Sequence, residues 1–152
     1  AGLGNFQVAA HAIGDAANAE VLNAIAEVGE SFKGDRRWRI EHAQVVDQAD
    51  MVKFGKYGII ASMQPVHQTS DAWRSIEDTG ARLAFGSDAP VELPDAFAGL
   101  TAAFTRMDAA GEPFGGWRPE QRVSREQALA AYTAGAAFAG FAEGRFGQLA
   151  AG

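Results

Sequence analysis

The chain has 152 residues, of which 47% are hydrophobic and 21% charged, and its formal net charge is −6 at pH 7. This length and composition predict one soluble domain over residues 1–152, and no apolar run approaches the roughly 20 residues of a membrane span. The acidic charge and an expected lack of basic clusters argue against nucleic acid or an anionic membrane as a partner. The absence of cysteine excludes disulfides and thiolate chemistry. The compartment stays open, with the cytoplasm mildly favoured.

The first half of the chain predicts two strands, each followed by a helix. Residues 6–11 are almost all apolar, which is typical of a strand buried on both faces. Asp15 should cap a helix over residues 16–28 that Gly29 ends. The inward face of that helix is predicted to hold Ala17, Val21, Ala24, Ile25 and Val28.

The second predicted strand covers residues 38–42. Asp47 should cap the short helix that follows it, and Gly55 should end that helix. Its inward side chains are predicted to be Met51, Val52 and Phe54.

A third strand is predicted over residues 57–63, closed by Pro65, which cannot donate to a strand ladder. Ser70 or Asp71 should cap a helix that ends at Gly80, and residues 82–87 form the fourth strand. Strand and helix thus alternate four times, which predicts βαβ units and a parallel sheet.

The remainder of the chain is predicted to be helical. Asp95 should begin a helix whose face towards the sheet holds Phe97, Leu100, Phe104 and Met107. Ser124 and Gln127 fit a capping box at the start of a later helix. Residues 136–142 should form a last helical segment.

Three of the four strands deliver a polar side chain at or near their ends: His11, His42 and Asp88. Singly, each histidine is explained by a hydrogen-bonded ring in a βα turn, and Asp88 by turn capping. In a parallel sheet, however, all carboxyl ends of strands meet at one edge, which is where sites form. Two imidazoles and a carboxylate suit Zn²⁺ or a similar divalent ion, so the pattern predicts a shared metal site.

His67 follows the third strand at the same predicted edge. It is either a solvated loop histidine or a substrate contact that stabilises negative charge developing on a carbonyl oxygen. Asp71 is either a partner of this site or a helix cap. Glu41 should face away from His42, because side chains alternate along a strand.

The same residues carry a resemblance to a known family. Four motifs occur in an order similar to that of the metal-dependent amidohydrolases, and most similar to the N-substituted formamide deformylases among them. These motifs are residues 11–15 (HAIGD), 39–44 (RIEHAQ), 62–67 (SMQPVH) and 86–91 (GSDAPV).

The resemblance implies a (β/α)₈ barrel in which this chain supplies strands five to eight, the C-terminal half. It implies that His11 and His42 are metal ligands and that Asp88 binds metal and acts as general base. The metal would be zinc, with iron or manganese as alternatives, and the reaction would be hydrolysis of a carbon–nitrogen bond in a small-molecule amide or N-formyl compound. The histidine pair and the lysine that complete the family's site have no counterpart among these residues.

Two other interpretations stay open at this point. Four parallel strands have two open edges, so the chain could be a catalytically inactive half-barrel that pairs with itself or with an N-terminal half. An open, doubly wound sheet that binds a phosphate-bearing ligand is the second, but residues 11–15 hold one glycine and an aspartate where a phosphate loop needs several glycines.

Overall fold

Four parallel strands in chain order form the sheet of the protein. The computed structural model describes residues 6–67 and 72–149. Its strands are hydrogen-bonded in the order β1-β2-β3-β4, with Ala9 opposite Arg39, Arg39 opposite Ile60, and Ala61 opposite Leu83. The strands are β1 (Ala9–Ala12), β2 (Arg39–His42), β3 (Ile60–Met63) and β4 (Leu83–Phe85). The predicted parallel α/β arrangement is confirmed.

A helix joins each pair of successive strands, and the chain ends in further helices. The three connecting helices are α1 (Asp15–Gly29), α2 (Gln48–Tyr57) and α3 (Trp73–Glu77). After β4 come α4 (Ala96–Thr105), α5 (Arg125–Ala130), a π-helical turn (Ala131–Gly135) and α6 (Ala136–Ala139). No helix in the described ranges is long and apolar enough to cross a membrane.

The core lies between the sheet and its helices, and the sheet is not equally buried along its width. All three residues of β4 are buried, as are three of the four in β3. In β1, by contrast, Ala9 and His11 are exposed, so the prediction of a strand buried on both faces is wrong for β1. β1 is an edge strand of this sheet and, within the described chain, pairs with β2 alone, which leaves its other edge uncovered.

The buried face of α1 differs from the predicted one by one position. Its buried residues are Asn18, Leu22, Ile25 and Gly29, whereas Val28 is 37% exposed. The prediction that Asp15 caps this helix is also wrong, since Gly14 occupies the N-cap and Asp15 is the first helical residue. The apolar pattern misplaced the face because it treated Asn18, which is fully buried, as a surface residue.

Gly55 does not end α2 as predicted; the helix continues to Tyr57 and ends at Gly58, which takes the left-handed conformation with φ 62°. The reason for glycine at position 55 is close packing, because a Cβ there would lie 1.9 Å from the carbonyl oxygen of Thr79. Val52, predicted to face inward, is 58% exposed, while Phe54 is fully buried as predicted.

Three of the predicted caps are confirmed. The carboxylates of Asp47 and Asp95 accept hydrogen bonds from the first backbone N–H groups of α2 and α4, and Ser124 and Gln127 form a reciprocal capping box. The predicted cap at residues 70 and 71 lies outside the described residues. Phe97 is 81% exposed, so its predicted contact with the sheet is wrong.

Arg37 joins the beginning of β2 to the C-terminal segment. Its guanidinium donates to both carboxylate oxygens of Glu143, at 2.8 and 2.7 Å, and to the Phe138 carbonyl oxygen at 2.8 Å. It also lies 3.7 Å from the centre of the Phe138 ring. These hydrogen bonds lower the pKa of Glu143 to about 2.

The ion pair between Arg37 and Glu143 makes the free energy of unfolding depend on pH. Because the pKa of Glu143 in the folded chain is below its ordinary value, the stabilisation is complete above about pH 4.5 and is lost as the pH falls towards 2. We expect Glu143→Gln to lower stability at pH 7 and to weaken the loss of stability between pH 5 and 3. Urea unfolding measures both effects, with Glu27→Gln on the exposed face of α1 as control. Equal pH dependence in the two variants would contradict this expectation.

Candidate metal centre

The structure brings two of the predicted ligands into direct contact. His11 lies in β1 and His42 is the last residue of β2. The Nδ1 atom of His11 is 2.9 Å from Nε2 of His42, and the two ring centres are 4.9 Å apart. The predicted meeting of these two side chains at the carboxyl ends of neighbouring strands is therefore observed.

Regular strand geometry would keep the two rings apart. The register pairs His11 with Glu41 and Ala12 with His42. Paired residues share a face and successive residues alternate, so His11 and His42 would lie on opposite faces. His42 instead has φ 76°, in the left-handed region, and Ala43 follows at φ 43°. This turn of the backbone at the strand end reorients the His42 ring towards His11.

Gln64 determines which ring nitrogen of His42 carries a proton. Its amide oxygen is 2.9 Å from Nδ1 of His42, and the residue is 6% exposed at the end of β3. An amide oxygen only accepts, so Nδ1 of His42 carries the proton and, in the neutral ring, Nε2 presents a lone pair. His11 then donates from Nδ1 to that lone pair.

A divalent ion needs only a slightly wider spacing of the two rings. Zinc-to-nitrogen bonds are about 2.0–2.1 Å long, so two imidazole nitrogens on one tetrahedral ion lie about 3.3 Å apart. The observed separation of 2.9 Å is a hydrogen-bond distance, so the rings would move apart by a few tenths of an ångström to hold the ion. A hydrogen bond from Nδ1–H of His42 to Gln64 is the type of contact that orients a metal-binding imidazole. His11 and His42 are therefore the residues in this structure that could hold a metal.

Asp88 lies at the same end of the sheet but apart from the histidine pair. It is exposed, three residues beyond the end of β4, and has φ 55°. Its backbone carbonyl, not its carboxylate, closes the following turn by accepting from Val91 N–H at 2.8 Å. Within residues 6–67 and 72–149, no three His, Asp or Glu side chains converge as a metal site would require.

His67 occupies a short 3₁₀ turn, Pro65–His67, directly after β3. Its Nε2 is 3.6 Å from a carboxylate oxygen of Glu92, a residue of the loop that follows β4. Glu41 shares the face of His11 in the strand register and pairs with Arg39, with Nε and Oε1 2.5 Å apart. Asp71 lies outside the described residues.

Asn18 ties together the loops that follow β1 and β2. Its buried amide nitrogen lies 3.0–3.3 Å from four carbonyl oxygens, those of Ala12, Ile13, Gly14 and Val45. A direct backbone bond of 2.8 Å from Val45 N–H to the Ile13 carbonyl runs beside it. The amide thus holds the chain after His11 against the chain after His42.

Sequence reasoning missed three of these contacts, which involve Gln64, Glu92 and Asn18. Gln64 could have been found by the rule that selected the histidines, because it is a polar residue at the end of an apolar strand. Glu92 lies in a loop without a local signal. Asn18 falls within a helical pattern, where a buried amide cannot be distinguished from a surface one.

The chain is similar to known proteins over nearly its whole length. A sequence profile described as the amidohydrolase family matches residues 4–152. Protein LONG AFTER FAR-RED 3 of Arabidopsis thaliana is 34% identical over 97% of the chain, and the putative amidohydrolase YtcJ of Bacillus subtilis is 30% identical over 97%. The chain spans 28% and 31% of the lengths of these relatives.

Solved structures of metal-dependent hydrolases are also similar to this chain. An uncharacterized metal-dependent hydrolase from Pyrococcus furiosus superposes with a TM-score of 0.74 and 31% identity, and one from Pyrococcus horikoshii with 0.76 and 26%. Each match covers 95% of this chain and 31% of the other. The predicted fold class, successive parallel βα units of a TIM-type barrel, is confirmed.

Removal of the Asn18 amide should destabilise the fold. In Asn18→Ala, the carbonyl oxygens of Ala12 and Val45 lose the amide donor, which costs about 1–3 kcal/mol. Asn23→Ala is the matched control, because Asn23 is exposed on the same helix and its amide oxygen accepts a solvent-exposed hydrogen bond from Lys53 at 2.6 Å. This change should cost less than about 0.5 kcal/mol. Urea unfolding of both variants measures the difference, and equal stabilities would show that the Asn18 contacts contribute nothing.

Proposed function

The chain belongs to the amidohydrolase family, and from this premise we propose that it forms the histidine-bearing part of a metal-dependent hydrolase that cleaves carbon–nitrogen bonds. The observation that carries the proposal is the 2.9 Å contact between His11 Nδ1 and His42 Nε2 at the carboxyl ends of parallel strands. Its substrates would be small-molecule amides or N-formyl compounds, as in the N-substituted formamide deformylases. Residues 1–152 would form one domain, the C-terminal half of the barrel.

His11 and His42 would hold the metal, with Asp88 as a third ligand contributed by the loop after β4. Zinc is the first choice, and iron and manganese suit the same nitrogen and oxygen donors. When bound, a divalent ion polarises a carbonyl group and lowers the pKa of water towards neutrality. The chain's contribution is to present two imidazole nitrogens, one of which Gln64 orients.

Asp88 would act as the general base. Its carboxylate accepts a proton from the attacking water and later gives that proton to the leaving nitrogen. The amine therefore leaves in its neutral form, and the carboxylate is ionised again at the end of the turnover. The exposed position of Asp88 on a left-handed backbone leaves the carboxylate accessible to substrate.

His67 would donate a hydrogen bond to the substrate's carbonyl oxygen as negative charge develops there. The Glu92 carboxylate, 3.6 Å from Nε2, would orient the imidazole for this role. The partner of this site is a small molecule, and we propose neither nucleic acid nor membrane as a ligand. We propose a cytoplasmic location, since the sequence contains no cysteine.

A second candidate is an inactive half-barrel that associates with itself. It is favoured by exposed apolar side chains, with Phe6 70%, Ile13 53% and Leu93 80% exposed, and by the unpaired outer edges of β1 and β4 in the described sheet. It predicts an apparent mass of twice the chain's 16.0 kDa in size-exclusion chromatography. A compact monomer would contradict it.

Substitution of the proposed base tests the enzymatic function. In the protein that contains this chain, Asp88→Asn should lower kcat for an N-formyl amine by about 10²–10⁴, because the acid–base contribution is lost while KM changes little. Asp78→Asn is the control, since Asp78 pairs with Arg74 on α3 and is 61% exposed. Near-normal turnover by Asp88→Asn would exclude the general-base role.

A further inference from the structure

The opposite end of the sheet holds a pocket lined by arginines. It has a volume of about 210 Å³ and lies where β2, β3 and β4 begin, away from the histidine pair. We call it the arginine pocket. Its polar and charged lining includes Asp35, Arg36, Arg37, Tyr57, Arg82 and the backbone of three glycines.

The expectation that the chain has no basic cluster is therefore wrong. Arg36 and Arg37 precede β2, and Arg82 precedes β4 more than forty residues later. Parallel strands start at the same end of a sheet, so the segments that enter them converge there. This convergence concentrates three guanidinium groups in a chain whose net charge is −6.

The three arginines differ in the ion pairs that they form with carboxylates. Arg37 donates to Glu143 and pairs with Asp35 at 2.9 Å, and these hydrogen bonds raise its pKa. No ion pair with a described residue occurs at Arg36 or Arg82. Arg82 is close enough to Glu143 to contribute, after Arg37, to its low pKa.

One N–H group of the Arg36 guanidinium lacks a hydrogen-bond acceptor among the described residues. Its guanidinium stacks 4.6 Å from the centre of the Trp38 ring, and its Nη1 is buried with no hydrogen-bond partner among the described residues. A buried, charged N–H group that lacks an acceptor is costly, and native proteins rarely leave one unexplained. A ligand that accepts this hydrogen bond would remove the cost.

The stacking of the arginines favours a particular class of ligand. Arg82 lies 4.0 Å from the centre of the Phe138 ring, as Arg36 does over Trp38. A guanidinium held over an aromatic ring by cation–π attraction uses none of its N–H groups as hydrogen-bond donors in that contact. A guanidinium recognises phosphate or carboxylate oxygens in pairs.

The pocket also has room for such a group. Gly34, Gly58 and Gly80 line it, and a Cβ added at any of them would meet no atom within 4 Å. A volume of about 210 Å³ is several times the roughly 30 Å³ of one water molecule. We propose that the arginine pocket binds a phosphate group of a small molecule, with Arg36 and Arg82 as the principal donors.

This site is independent of the proposed hydrolase function, because it lies at the other end of the strands and uses none of the same residues. Inorganic phosphate is the probe. It is titrated into the chain at pH 7.5 and constant ionic strength, maintained with chloride, while the NMR signal of the Trp38 indole N–H is followed. We expect saturable binding at one site, since Trp38 stacks on Arg36.

Three variants decide the assignment. Arg36→Gln should weaken phosphate binding about tenfold or more and Arg82→Gln severalfold, because each removes a charged hydrogen-bond donor. Arg125→Gln removes one positive charge from an exposed site on α5 and should leave the affinity unchanged. If Arg36→Gln fails to fold, the exposed Arg82 provides the deciding variant.

Two results would overturn the proposal. The first is the absence of saturable phosphate binding to the unmodified chain. The second is equal weakening in Arg82→Gln and Arg125→Gln, since this would show that phosphate responds to overall charge and not to the arginine pocket.

Discussion

Parallel pairing of the strands in chain order is the constraint on which the rest of this structure depends. Because β1 to β4 run in one direction, every strand ends at the same edge and begins at the other. The carboxyl edge gathers His11, His42 and Gln64 within hydrogen-bond distance. The opposite edge gathers Arg36, Arg37 and Arg82 around one pocket. Two chemically distinct regions thus follow from a single topological rule.

The candidate metal centre departs from regular backbone geometry at the residues that matter for it. His42 and Asp88 both take left-handed conformations that side chains with a Cβ seldom adopt, at a cost of order 1–3 kcal/mol each. At His42, the strained backbone brings the ring to His11, which the regular pleat would prevent. Buried contacts offset this cost nearby, above all the contacts of the Asn18 amide with the two neighbouring loops.

The order and direction of the strands could be predicted from sequence, because apolar runs that end in polar residues mark strands and their ends. The convergence of His11 and His42 follows from the same pattern. The buried face of α1 could not be predicted, since the burial of Asn18 depends on carbonyl groups supplied by a loop 27 residues away. The role of Gly55 likewise depends on its approach to Thr79. Neither the turn at His42 nor the arrival of Glu92 beside His67 has a signal in the local sequence.

The central claim, that His11 and His42 share a divalent ion, is tested most directly by the metal content of the purified chain. Plasma mass spectrometry should find close to one metal ion per chain in the unmodified protein and in His67→Ala. The variant with His11, His42 and Asp88 all changed to Ala should contain none. Metal-free unmodified protein, or equal metal content in the triple variant, would contradict the claim.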